Sequence, residues 1–134
     1  MFEKGEVVLM QGLEKFPAET ELIEKLLAYY ESHRLFEKAA KIILGFIEAK
    51  PGNSAALAKL GFYEKNLKHP EKALYWFKKA LSSSPDFEWA HVQQIGILLN
   101  TEREDEAENA LNDFLKLKPN SEWALLELSQ LKLK

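Results

Sequence analysis

Apolar residues recur at intervals of three and four along most of the chain, in short stretches separated by turn-forming residues. Leu22, Ile23, Leu26, Leu27 and Tyr30 mark one stretch, and Ala39, Ile42, Ile43, Phe46 and Ile47 mark the next. That spacing gathers apolar side chains on one face of a helix with about 3.6 residues per turn. The pattern predicts about eight helices, over 2–15, 20–32, 36–49, 55–66, 70–81, 87–100, 104–117 and 122–134. In the first of them Val7, Val8, Leu9 and Leu13 form the apolar stripe, and Pro17 stops it. Arg34-Leu35 turns the chain between the second and third helices, and Pro51-Gly52-Asn53 ends the third. Asn53 or Ser54 can cap the fourth by accepting an orphan backbone N–H, and Ser121 is placed to do the same for the last. Pro70 opens the fifth helix, where its missing N–H costs nothing.

The same punctuation returns at a fixed distance. Pro17, Pro51, Pro85 and Pro119 stand at equal intervals along the chain. A second register agrees: Phe2-Glu3-Lys4-Gly5, Phe36-Glu37-Lys38-Ala39, Pro70-Glu71-Lys72-Ala73 and Glu104-Asp105-Glu106-Ala107 fall on the same period. The chain is therefore an array of repeats, each too small to bury its own apolar face.

Within 54–87 the repeat carries Leu60-Gly61, then Ala73, Phe77, Ala80 and Pro85. This resembles the tetratricopeptide repeat, whose pattern is Trp, then Leu-Gly, then Tyr, and later Ala, Phe and Pro. Leu57 stands in the Trp slot, and Glu64 in the Tyr slot with Tyr63 just before it. In 88–121 the match loosens, with His91 in the Trp slot, Gln94 and Ile95 for Leu-Gly, and Gly96 one residue late. The resemblance spans essentially the whole chain and implies an all-α solenoid of antiparallel helix-turn-helix units. Its expected division is one array: 1–19 as the second half of a repeat, 20–53, 54–87 and 88–121 as whole repeats, and 122–134 as a terminal first helix. Leu125, Leu128, Leu131 and Leu133 leave that last helix only half polar, so a second copy at one or both ends, a cut from a longer array, and a tolerated apolar end all stay open.

In the family the first helices of successive units line a concave groove. The resemblance places Glu21, Glu24, Ala28 and Glu31 there, followed by Ala55, Ala58, Phe62 and Lys65. Trp89, Val92, Gly96 and Leu99 come next, and Trp123, Leu126 and Gln130 last. The first quarter of the groove is acidic and the remainder mostly apolar. An apolar strip with two Trp suits a peptide or an amphipathic helix, because an indole supplies large area and an N–H donor at little entropic cost. Alternatively each Trp packs on the turn before it, against Phe87 or the residues near Pro119, or the strip serves self-association. One variant of the family holds the C-terminal carboxylate of a chaperone with Lys, Asn and Arg. Glu24, Ala58, Val92 and Leu126 occupy those slots here, so a different ligand is expected.

Composition narrows the class further. A hydrophobic share of 46% with few Gly and Pro is that of a globular chain, and a net charge of −3 disfavours a nucleic-acid partner. Charge is uneven along the array: 54–87 is basic through Lys59, Lys65, Lys68, Lys72, Lys78 and Lys79, whereas 88–121 is acidic from Glu102 to Asp113. These are solvated outer faces or a means of matching one molecule to another head to tail. No apolar run reaches the roughly 20 residues of a membrane span, and the first seventeen residues lack a signal-peptide pattern, so a cytoplasmic location is expected. With no Cys, disulfides, Cys-based zinc sites and thiol nucleophiles are excluded. His33, His69 and His91 are scattered without a nearby nucleophile. The expectation is a non-catalytic scaffold with no metal or cofactor, binding a protein or peptide partner, or a module that self-associates through its terminal helices.

Overall fold

The computed structural model describes residues 4–16 and 19–134. Phe2, Glu3 and Pro17, which the repeat register uses, lie outside these. The chain runs through α1 (Lys4–Lys15), α2 (Thr20–Ser32), α3 (Phe36–Ala49), α4 (Ser54–Asn66), α5 (Pro70–Ser83), α6 (Glu88–Asn100), α7 (Glu104–Leu117) and α8 (Glu122–Lys132). Every described residue outside them is in a turn or irregular segment. None of the described helices is long and apolar enough to cross a membrane.

The repeat is visible in the backbone. Arg34, Lys68 and Glu102, each one period from the next, are the only described non-glycine residues with positive φ, at 55°, 65° and 57°. Each closes a hairpin in which the following N–H reaches back to the carbonyl five residues earlier: Leu35 to Tyr30 at 2.8 Å, His69 to Glu64 at 2.9 Å and Arg103 to Leu98 at 3.0 Å. One left-handed residue per hairpin satisfies the last carbonyls of the preceding helix and reverses the chain. The entries to α2, α4, α6 and α8 follow the same period. Asn53 Oδ1 accepts from the Ala56 N–H at 3.0 Å and Ser121 Oγ from that of Ala124 at 3.2 Å, whereas Phe87 in the equivalent place offers no cap. Asn53 thus takes the capping role left open between it and Ser54, and α4 starts at Ser54.

Helices pack on their neighbours in sequence, with one addition: α4 also meets α6. The backbones of α3, α5 and α7 stay apart from one another. The ribbon therefore closes toward the side of the first helices, which makes α2, α4, α6 and α8 the inner layer of an all-α solenoid. Ala39, Ala73 and Ala107, in the same slot of successive repeats, are fully buried, where larger side chains would force the helices apart. Between the helices of each hairpin, volume is shared. Gly61 faces Phe77 so closely that a Cβ on Gly61 would lie 3.0–3.1 Å from three atoms of the ring. One repeat earlier the same slots hold Leu27 and Ile43, and one repeat later Ile95 and Leu111, all buried. A large first-helix residue goes with a smaller second-helix one, which keeps the interior filled without strain. This explains how 88–121 tolerates losing its Gly.

α1 departs from its expected face. Val7 and Val8 are exposed, and only Leu9 and Leu13 of the apolar stripe pack on the core. α5 extends two residues beyond Leu81, and α6 begins one residue after Phe87, whose ring packs on the core.

Substituting the two glycines should separate these effects. Gly96, with nothing within 4 Å of a built Cβ, should gain up to about 1 kcal/mol as Gly96→Ala from helix propensity. Gly61→Ala should instead lose about 1–2 kcal/mol, because the fully buried Phe77 has nowhere to move. Urea unfolding followed by circular dichroism reads both; equal gains would mean that the close approach of α4 to α5 is not tight.

Candidate functional site

The inner layer brings some of the expected groove residues together and separates others. Glu24 and Ala55 line a recess of about 100 Å³ between α2 and α4, with Leu27 and Phe46 among its walls. Glu21 is exposed and pairs with Lys25 at 3.4 Å. Glu31 is not free to serve a ligand alone: it accepts from Lys59 Nζ at 3.2 Å and from the Tyr63 hydroxyl at 3.1 Å. Lys65 donates to Gln93 at 2.9 Å. The acidic first quarter is thus partly neutralised from the next repeat. Ala58, expected in the groove, is instead fully buried in the core and offers no surface there.

The aromatic residues do converge. Phe62, half-buried on α4, meets the Trp89 indole of α6 with centroids 5.9 Å apart, and meets Phe36 edge-on at 6.2 Å. Trp89 also lies 5.9 Å from Phe77 and 6.1 Å from Phe87. The indole packs on the preceding repeat yet keeps 38% of its surface open. Trp123, one period on, is half-buried and edge-on to a different partner, Phe114 of α7, at 5.8 Å. Val92 and Leu99 pack partly on the core, and Leu126 is 58% exposed. The result is an aromatic pair, Phe62 and Trp89, that joins α4 to α6 and is held by core contacts on one side, with Trp123 and Leu126 on α8 beyond it.

The backbone fold recurs in solved structures. MamA superposes with a TM-score of 0.82 over 98% of this chain and 84% of its own, at 15% identity. The first TPR of Spaghetti (RPAP3), bound to the HSP90 peptide SRMEEVD, gives 0.71 at 17% identity over 84% and 91% of the two chains. The second TPR domain of human RPAP3, in complex with the HSP70 peptide SGPTIEEVD, gives 0.72 at 19% identity over 84% and 93%. The chain has the tetratricopeptide-repeat fold. No family model matches the sequence, and no curated protein does either.

Within this tetratricopeptide frame the histidines serve local structure. His91 Nε2 donates to the Pro85 carbonyl at 2.8 Å, His33 lies 2.9 Å from the Tyr29 carbonyl, and His69 lies 3.2 Å from Glu64. Among the described residues no three His, Asp or Glu side chains are grouped so as to hold a metal ion.

One carboxylate is buried against the polar pattern of its helix. Glu6 of α1 is only 3% exposed; it accepts from the Tyr30 hydroxyl at 2.8 Å and pairs with Lys38 at 3.4 Å. The register holds a clue to it, because Glu108 occupies the equivalent slot three repeats on and pairs with Lys132, as far along from it as Tyr30 is from Glu6. Tyr30 and Tyr63 have their pKa values raised, first by burial and then by the adjoining carboxylates Glu6 and Glu31. Ionising either phenol therefore favours the unfolded chain. The stability they secure is complete below the ordinary phenol pKa of about 10 and is lost as pH rises above it.

Glu31→Ala should cost about 1–2 kcal/mol at neutral pH, because it strands the Tyr63 hydroxyl in the interior. Adding Tyr63→Phe should return part of that loss. A double-mutant cycle from urea unfolding measures the coupling, and strictly additive changes would show that the inter-repeat bond contributes nothing.

Proposed function

We propose that the chain is a non-catalytic interaction module that holds a peptide or helix of a protein partner along its inner face. Phe62, Trp89, Leu99 and Trp123 are the anchors, with Glu21, Glu24, Ala55, Lys65, Val92 and Leu126 around them. The observation that carries this reading is the Trp89 indole, braced by Phe62, Phe77 and Phe87 and still 38% exposed. A rigid aromatic already fixed by its core side contributes contact area without further ordering cost, which is what an interface hot spot requires. The two RPAP3 domains bind chaperone peptides ending in an acidic EEVD. Here the slots of the family's carboxylate-binding variant hold Glu24, the buried Ala58, Val92 and Leu126, so the partner is recognised through apolar side chains rather than a terminal carboxylate. Trp89→Ala should weaken partner binding by more than about 1 kcal/mol while leaving helical content intact. Pull-down with the wild type against a Trp89→Ala/Trp123→Ala variant tests it, and equal recovery of the partner by both would overturn the inner-face assignment.

A second reading, self-assembly through the end helices, is favoured by a different observation. Val7, Val8 and Met10 on α1, Leu125 on α8 and Leu133 just after it are exposed apolar side chains at the two outermost helices. Together they form the kind of uncovered repeat face that a further helix layer would bury. Light scattering over a concentration series should then show growth that Val8→Glu or Leu125→Glu abolishes. A species that stays monomeric at high concentration would exclude it.

A further inference from the structure

A second recess lies on the outer layer, away from the inner strip. Between α3 and α5, which stand apart across it, runs a groove of about 520 Å³. Its apolar lining includes Leu44, Leu60, Tyr75 and Trp76. Leu44 is 40% and Tyr75 53% exposed, and the two rings of Tyr75 and Trp76 meet edge-on at 4.9 Å.

The same architecture recurs one repeat on, between α5 and α7, with a groove of equal volume and a different lining. There Lys78 stands for Leu44, Gln94 for Leu60, Asn109 for Tyr75 and Ala110 for Trp76. Lys72 on the rim of the first groove becomes Glu106 in the second. The solenoid builds the grooves, but it does not require the first to be aromatic and apolar.

The charge around the first groove identifies its occupant. Its two carboxylates are already engaged, Glu64 with His69 at 3.2 Å and Glu71 with Arg103. Lys41 and Lys72 on the rim have no carboxylate partner among the described residues. Lys79 lies 5.3 and 5.6 Å from the Tyr75 and Trp76 ring centres, adding a third positive charge beside the aromatic wall. An apolar floor beneath unpaired ammonium groups suits a large apolar side chain flanked by carboxylates.

We propose that the α3–α5 groove is a docking site for an acidic protein segment that inserts one large apolar side chain between Leu44 and Tyr75. The site is separate from the inner face and does not depend on it.

The test is a random-peptide display selection on the full chain at low salt, with isothermal titration of synthetic peptides from the recovered clones. Leu44→Lys/Tyr75→Asn installs the residues that the neighbouring groove already carries, so the fold accommodates it. Clones sensitive to that variant should be rich in Asp and Glu around a single Leu, Phe or Trp. Their affinity should fall about tenfold in the variant, weaken with added salt, and survive Trp89→Ala. Several results would overturn the proposal: no clone sensitive to the groove variant, sensitive clones that are basic or neutral, or binding lost in Trp89→Ala instead. So would a concentration-dependent dimer that Leu44→Lys/Tyr75→Asn dissolves, which would make a second copy the occupant.

Discussion

No hairpin in this chain can cover its own apolar face, and the rest of the structure follows from that constraint. Each pair of helices leaves a strip of Leu, Ile, Ala and aromatic side chains that only the next pair removes from water. The solution is carried by slots that recur once per repeat, where Ala39, Ala73 and Ala107 permit close approach and the facing pairs Leu27/Ile43, Gly61/Phe77 and Ile95/Leu111 are buried between the helices of each hairpin. Polar bonds cross between repeats as well, Glu6 to Tyr30 and Glu108 to Lys132 in one register and Glu31 to Tyr63 in another. Burial supplies the drive and these bonds satisfy polar groups that stacking would otherwise strand.

The inner face is a consequence of the same stacking. Phe62 and Trp89 touch because α4 and α6 are drawn together, and the indole is anchored on Phe77 because every first helix leans on the second helix before it. A side chain can thus belong to the core by one edge and to a recognition surface by the other. The outer layer has the opposite character: α3, α5 and α7 are held apart, so grooves open between them whose lining each repeat can vary without disturbing the interior.

The number of helices, their order and their turns were legible because the period repeats several times, so local ambiguity in one unit is resolved by the others. The left-handed turn residues fall where the breaks between periodic stretches place them, and Asn53 and Ser121 cap as their side chains allow. Which face each helix presents to water was less legible. Helical periodicity says which residues share a side, not what lies opposite, so the exposed Val7 and Val8 and the buried Glu6 on α1 both ran against the apolar pattern. Ala58 shares the groove side of α4, but a methyl group between longer neighbours is covered. The α3–α5 groove had no signal in the repeat pattern, because Leu44 and Tyr75 occupy slots the repeat does not constrain.

Burial is concentrated in the middle of the array: α4 contributes six buried residues, whereas α1 and α8 contribute one each. If stability comes from neighbour covering neighbour, it must be graded along the chain. Native-state amide hydrogen exchange measures this directly. Protection should peak in α4 and α5 and fall in steps toward α1 and α8, which open locally well below the global unfolding energy. Uniform protection across all eight helices, with the outermost ones exchanging only through global unfolding, would contradict the account.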